Sequence, residues 1–272
     1  MSEQDAIAAS TQPVTTASLV MDLRALGLQP GQVVLIHSSL SAMGWVCGGA
    51  QAVLQALVTV LGPAGTLVMP THSGDWSDPG LWNHPPVPKS WWETIRATMP
   101  AFDPDLTPTR SMGVIPETFR KFPGALRSRH PTLSFAALGP KAGEIVGEQV
   151  LEDGLGEQSP LAKLYDLDGV VLLLGVGYSN NTTLHLAERR ALGDDQVKHI
   201  TGSPITIDGT RCWVRYWQPL VESDDFEPVG EAFEQQDGTL RRRRVGQADA
   251  RLMGARSLVD FAVPWFKQHR QI

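Results

Sequence analysis

Cysteine is scarce in this chain of 272 residues: there are two, Cys47 and Cys212, far apart and in no Cys-x-x-Cys spacing. That scarcity excludes a zinc ribbon or a disulfide framework and fits a reducing compartment. No apolar run approaches the length of a membrane span, and Met1 to Gln12 lacks the basic start and apolar stretch of a secretory leader. A cytoplasmic protein without membrane contact is the expectation. A basic surplus is missing too. The chain carries 23 Lys and Arg against 29 Asp and Glu, a formal net charge of −6, which argues against nucleic acid as the main partner. The same charge is compatible with a cationic ligand. With 42% hydrophobic and 19% charged residues, there is ample material for a soluble globular core.

Apolar spacing organises what is there. Residues 1–14 are small or polar and are expected to fray, leaving 15–272 as a single domain. From Thr15, Leu19, Leu23 and Leu26 form a helical stripe that stops near Gly27. Pro30-Gly31 then turns the chain into a strand over Val33 to His37. Gly48-Gly49 opens a helix carrying Leu54, Leu57, Val58 and Leu61, and Thr66 to Met69 reads as a second buried strand. This β-loop-α-turn-β order favours an α/β class, with a central mixed sheet flanked by helices. Residues 71–108 differ in kind, with seven prolines, four aspartates, four tryptophans and little periodicity, and read as a long surface excursion. A short helix is expected around Trp91 to Met99, and another starts at Pro116 and runs to Phe122. Thr132 to Leu138 reads as a strand, Lys141 to Val150 as a helix, and Ser159-Pro160 as the start of one more. Ile205 to Ile207, the turn Asp208-Gly209 and Arg211 to Trp217 form a hairpin. A last helix spans about Ala255 to Gln268, with Pro264 inside it.

Candidate chemistry collects at the ends of the predicted strands. Val170 to Leu174 is a continuous apolar run, followed by Gly175-Val176-Gly177 and a helix capped by Asn181 or Thr182. His185 and Glu188, three apart, share one face of that helix, where an imidazole beside a carboxylate can move protons. A histidine that only packs or caps is the competing explanation. Ser38 and Ser39 follow the first strand, and hydroxyls before a glycine-opened helix suit an anion. Thr71, His72 and Ser73 follow the second strand, with Asp75 and Asp78 close behind. His72 and these aspartates match no zinc spacing. Arg110 and Ser111 precede the helix marked by Pro116, another candidate anion site. Glu222 to Pro228 is an acidic stretch of the kind a polyamine would need, or simply a solvated loop. Arg241 to Arg244, four arginines in a row, reads as a solvent-facing strand or loop.

Taken in order, these segments resemble the aminoglycoside 3-N-acetyltransferases. The pieces that carry the resemblance are Leu35 to Leu40, Gly65 to Pro70, Arg110 to Gly113 with Pro116, Arg129-His130-Pro131, and above all Leu174 to Tyr178 continuing into Asn181 to Glu188. The resemblance implies a fold distinct from the common GNAT-type acetyltransferases, acetyl-CoA as donor, no metal, and an antibiotic amine or other polyamine as acceptor. It implies that Ser38, Ser39, Thr71, Arg110, Ser111 and Gly113 line the coenzyme cleft. Asp75, Tyr178, Asp224 and Asp225 become candidates for holding the substrate. His185 becomes the general base and Glu188 the group that orients it or binds a neighbouring ammonium, with Thr71 or Thr183 as oxyanion donor. A homodimer is compatible with all of this and required by none of it. Three rivals remain open: a same-fold N-acetyltransferase for a non-antibiotic amine, a metal hydrolase using His72 and His185, and a non-catalytic binder of coenzyme A or antibiotic.

Overall fold

Two capped helices and three buried strands set the frame. The computed structural model describes residues 3–236 and 238–270. Helix α1 covers Glu3–Ala9, within the segment expected to fray, whose first two residues lie outside the described ones. Helix α2 (Thr16–Leu26) starts on a reciprocal pair of hydrogen bonds between Thr15 and Ser18 and ends at Gly27, whose φ of 109° a side chain would resist. Strand β1 (Val33–Ser38) leads into α3 (Gly49–Leu61), and β2 (Thr66–Pro70) follows. Helix α4 (Trp92–Thr98) is the one predicted within the excursion, and α5 (Val114–Phe119) has Pro116 at its third position rather than its first. Strands β3 (Leu126–Arg127) and β4 (Phe135–Leu138), helices α6 (Ala142–Val146) and α7 (Pro160–Asp166), strand β5 (Val170–Leu174) and helix α8 (Thr183–Leu192) complete the central part. The predicted strand over Thr132 to Leu138 therefore begins only at Phe135, and the helix from Lys141 stops before Gly147.

The last third holds a hairpin of β6 (Lys198–Ile207) and β7 (Thr210–Pro219), then α9 (Phe226–Gln236), β8 (Arg241–Val245), β9 (Ala248–Gly254) and α10 (Ala255–His269). The hairpin is longer than its sequence signal. Its tip, Asp208 with φ 48° and Gly209 with φ 76°, has the two left-handed residues that match strand twist. Helix α9 and strand β9 escaped the sequence reading, while β8 falls on the arginine run read as a solvent-facing strand or loop. Strand β8 lies at the edge of the sheet with Arg241 to Arg244 exposed, so its side chains carry no alternating pattern.

The main sheet runs β3-β4-β2-β1-β5-β9-β8. Its centre is parallel, β2 beside β1 and β1 beside β5, while β4 and β9 flank it antiparallel. Alternation splits the core in two. Val34, Ile36 and Leu172 face the helices that carry Leu19, Leu23, Leu54 and Leu57. Leu35, Val171 and Leu173 face those that carry Leu164, Leu184, Leu258 and Phe266. Strands buried on both faces read as unbroken apolar runs, which is why Val170 to Leu174 shows no polar alternation. Among the described residues, no helix is long and apolar enough to cross a membrane.

Parallel strands place their carboxyl ends on one edge, and β1 has β2 on one side and β5 on the other. This is the reversal of strand order at which open α/β sheets form their crevices. Ser38 ends β1, and Thr71 and Gly175 follow β2 and β5. The 71–108 excursion is fastened over the same edge by Arg127. Its guanidinium donates to the carbonyls of Thr71 (2.7 Å), Pro104 (3.1 Å) and Thr107 (2.5 Å), and to Ser73 Oγ (2.8 Å). Arg127 thus ties both ends of the excursion to β3. Asp78 holds Arg96 through two hydrogen bonds of 3.0 and 2.8 Å, and the Phe102 amide donates to the Pro204 carbonyl (2.8 Å), joining the excursion to the hairpin.

Helix α9 leans so closely on the Tyr178 ring that a Cβ at Gly230 would stand 2.0 Å from it. Replacing Gly230 by alanine should lower stability by about 1–3 kcal/mol through overpacking, despite the helix propensity gained. Urea unfolding measures this, and a variant as stable as the wild type would show that α9 can move off Tyr178.

Candidate active site

The chain leaves β5 through Gly175, whose φ of 72° and the approach of Ala42 (2.5 Å from where a Cβ would sit) leave no room for a side chain. A 3-10 turn over Tyr178–Asn180 follows, and Asn181 Oδ1 accepts the Thr183 amide (3.1 Å), so Asn181 supplies the capping oxygen. Helix α8 then presents His185 and Glu188 inward on one face. His185 Nδ1 donates to Glu188 Oε2 at 2.9 Å, with the two residues 8% and 2% exposed. This fixes one tautomer and leaves Nε2 as the nitrogen with a free lone pair. The other oxygen of Glu188 accepts from Arg270, which follows α10. Arg270 in turn donates to both oxygens of Asp225, at 2.7 and 2.6 Å. Burial works against the charge on Arg270, but hydrogen bonds to Asp225 and Glu188 outweigh it and raise its pKa above the ordinary arginine value. Phe226 packs its ring against the imidazole, centroids 4.7 Å apart.

Two further imidazoles flank this pair. Burial first, and repulsion from a charged His185 second, hold His37 and His72 down to about 3, so both stay neutral. His72 Nε2 is buried without a partner, and His37 Nε2 lies 3.4 Å from Thr182 Oγ1.

The structure brings together four of the residues expected to hold coenzyme. Ser38, Ser39, Ser111 and Gly113 line one groove with Trp45, Asn180 and the start of α3, enclosing about 1200 Å³ of space open to solvent. Ser38 Oγ is buried there with no partner. Thr71 is elsewhere: it is fully buried, and its hydroxyl sits among Arg127 (3.2 Å) and Ser134 (3.3 Å), so it anchors the excursion and does not line the groove. Arg110 also stands apart. Half exposed, it faces Asp75 at 3.4 Å and the His84 carbonyl at 3.3 Å, pairing a residue expected on coenzyme with one expected on substrate.

Asp224 and Asp225 line a second cleft with Glu188, Asp195, Glu222 and Arg270, again about 1200 Å³ with its solvent opening (1190 Å³). Asp75 is not among its walls. A far narrower cavity adjoins it, with about 20 Å³ of room, and is lined by His185, Asp153 and Gln196. Tyr178 corrects the sequence expectation. Its side chain is 0% exposed beneath α9, with Arg251 over its ring at 5.7 Å, and burial followed by the nearby Glu234 raises its hydroxyl pKa. A ring so enclosed supports α9 and cannot touch a substrate. Arg270, bonded to Glu188, and Arg127, bonded to both ends of the excursion, are the residues at this edge that sequence reasoning missed. Among the described residues, no three His, Cys, Asp or Glu side chains are grouped to hold a metal ion.

The model of one protein family, described as aminoglycoside 3-N-acetyltransferase, matches residues 35–267. The chain belongs to that family. It is an acetyltransferase of the aminoglycoside-modifying kind. A relative from Bacillus subtilis (strain 168), the SPbeta prophage-derived aminoglycoside N(3')-acetyltransferase-like protein YokD, is 46% identical over 96% of this chain and 95% of its own. The crystal structure of YokD superposes with a TM-score of 0.95 at 44% identity, covering 99% of this chain and 100% of the other. Aminoglycoside N(3)-acetyltransferase VII of Streptomyces paromomycinus is 40% identical over 98% of this chain and 96% of its own. AAC-IIIb, solved as a binary complex with CoASH, superposes with a TM-score of 0.84 at 30% identity, covering 94% of this chain and 97% of that one.

Buried neutral imidazoles make the acetyltransferase sensitive to acid. His130 is a third, held to about 4 by burial; its Nε2 donates to the Leu151 carbonyl (3.3 Å) and its Nδ1 accepts the Leu133 amide (3.0 Å), so a proton added at Nδ1 would break that bond. In the unfolded chain these histidines bind protons near 6.5. Their contribution to stability is therefore complete above that pH and is lost as pH falls toward 4 and then 3. Each histidine adds a slope approaching about 1.4 kcal/mol per pH unit. Urea midpoints should drop steeply between pH 6.5 and 4.5, and His130→Asn should flatten that drop by about one proton. An equal slope in the variant would mean His130 is protonated in the folded state.

Proposed function

We propose that this acetyltransferase carries the acetyl group of acetyl-CoA to the 3-amino group of an aminoglycoside, conferring resistance from the cytoplasm, with both substrates bound together and His185 as general base. The observation that carries the reading is the His185–Glu188 pair, whose unengaged Nε2 belongs to a cavity adjoining an acid-lined cleft. A polycationic antibiotic suits walls built of Glu222, Asp224 and Asp225, since each carboxylate can make a charge-assisted hydrogen bond to an ammonium. Acetyl-CoA suits the other groove. Leu40, Trp45 and Met112 offer apolar surface there, while Ser39, Ser111 and the unpartnered Ser38 hydroxyl offer hydrogen bonds, a mixture that matches a pantetheine arm of amides and methylenes.

An ammonium has no lone pair to give, so the acceptor must first lose a proton. Neutral His185 Nε2 takes it, directly or through water, and Glu188 Oε2 steadies the imidazolium through Nδ1–H. Arg270 anchors Glu188 so that the carboxylate cannot swing out to solvent, and Asp225 offsets the arginine charge. The amine nitrogen then bonds to the acetyl carbon as the carbon–sulfur bond breaks. Of the two protons the ammonium gives up, one ends on the coenzyme A thiol and the other reaches solvent. Of the two hydroxyls considered for the oxyanion, Thr71 is engaged by Arg127 and Ser134, whereas Thr183 Oγ1 is buried without a partner two residues before His185.

Free-thiol release from acetyl-CoA, followed with gentamicin, apramycin and a non-antibiotic amine in parallel, tests the reading. His185→Ala should lower turnover by about 10²- to 10⁴-fold, and Glu188→Gln should lower it less. A His185→Ala enzyme of near-normal turnover would remove the base, and release stimulated only by the non-antibiotic amine would remove the antibiotic.

A further inference from the structure

The acid-lined cleft and the smaller cavity at His185 share three residues: Glu188, Leu220 and Gln196. Leu220 is apolar there, and both oxygens of Glu188 are engaged, by His185 and by Arg270. Gln196 differs. Its Nε2 donates to the Leu220 carbonyl at 3.4 Å, while its Oε1 is buried and has no partner. Flipping the amide would set oxygen against oxygen at Leu220, so the orientation is fixed by its one bond. The side chain is 8% exposed, and a buried acceptor without a donor is the kind of group a folded protein seldom keeps unless something else supplies the donor.

We infer that Gln196 reads the acceptor substrate: its Oε1 accepts an N–H or O–H from the aminoglycoside where the acid-lined cleft meets the narrow cavity at His185. This rests on the antibiotic reading above and adds a specificity residue to it. The carboxylates of the cleft, Glu222, Asp224 and Asp225, favour ammonium groups. A neutral amide oxygen takes a hydroxyl as readily as an ammonium, so it selects for a donor at that position and not for charge. An analogue without that donor would bury Gln196 Oε1 unpaired, and discrimination by an unpaired polar group is steeper than by a missing methylene. Because the contact is away from the amine that reacts, it acts on ground state and transition state alike and belongs to KM more than to kcat.

Steady-state thiol release with gentamicin and with apramycin, using saturating acetyl-CoA, tests the assignment. Gln196→Met keeps the length and removes the acceptor; KM for at least one antibiotic should rise about tenfold or more, with kcat within about twofold of wild type. Thermal melts accompany each variant, and Gln196→Leu serves the same comparison should the methionine protein melt early. Unchanged KM in Gln196→Met or Gln196→Leu would mean that water satisfies the oxygen and would overturn the inference. No antibiotic-dependent release from wild type would overturn the antibiotic reading itself and this inference with it, a result distinct from release that Gln196→Met leaves untouched.

Discussion

Burial of both faces of the β1–β5 pair constrains everything else in this molecule. Val34 to Ile36 and Val171 to Leu174 leave no flank open to water, so polar side chains can appear only where these strands stop. The strands are parallel, and their stopping points fall on the same edge of the sheet. Serines, histidines and the start of α8 gather there because the core admits them nowhere else along these strands. The crossover topology that leads from β1 to β2 on one side and later sets β5 on the other opens the sheet at that edge and gives the groove its place.

A single carboxylate then converts position into chemistry. Glu188 is inside the protein, and a charge in that setting is tolerable only when both oxygens are answered. One answer is the imidazole on its own helix, the other a guanidinium that arrives after the last helix. The bond to Arg270 therefore makes the end of the chain part of the site, and through Asp225 it also fixes where α9 begins. Three elements distant in sequence meet on one residue. The two flanking histidines add a further restriction: burial, more than any neighbour, keeps His37 and His72 neutral.

Local signals were legible in the sequence and remote ones were not. The Thr15 cap, the stripe of Leu19, Leu23 and Leu26, the apolar run of β5 and the Asp208-Gly209 turn each depend on residues within a few positions of one another, and each appears in the structure. His185 and Glu188 belong to this class, being one helical turn apart. The class that failed depends on distant partners. Tyr178, next to a strand end rich in glycine, looks like a ligand contact until Gly230 is seen to make room for its ring. Thr71 reads as a free hydroxyl until Arg127 is brought back across the sheet to hold it. Arg270 has its partner 82 residues away and no motif around it. Strand β9 was missed because Asp249 and Arg251 interrupt its apolar residues, and their partners Arg242 and Glu234 lie on β8 and α9.

The edge of the sheet has its own consequence. A sheet whose outermost strand offers free amides and carbonyls is a template on which another chain can pair, and successive additions build an aggregate. Here one margin is β3, only two residues long. The other is β8, where Arg241 to Arg244 stand in solvent, and Arg242 is held by Asp249 (3.0 Å) on the neighbouring strand. A second copy approaching margin to margin would have to bring eight guanidinium groups together, four from each, with too few carboxylates to offset them. The run of arginines is thus a charged margin of the kind that disfavours edge-to-edge pairing.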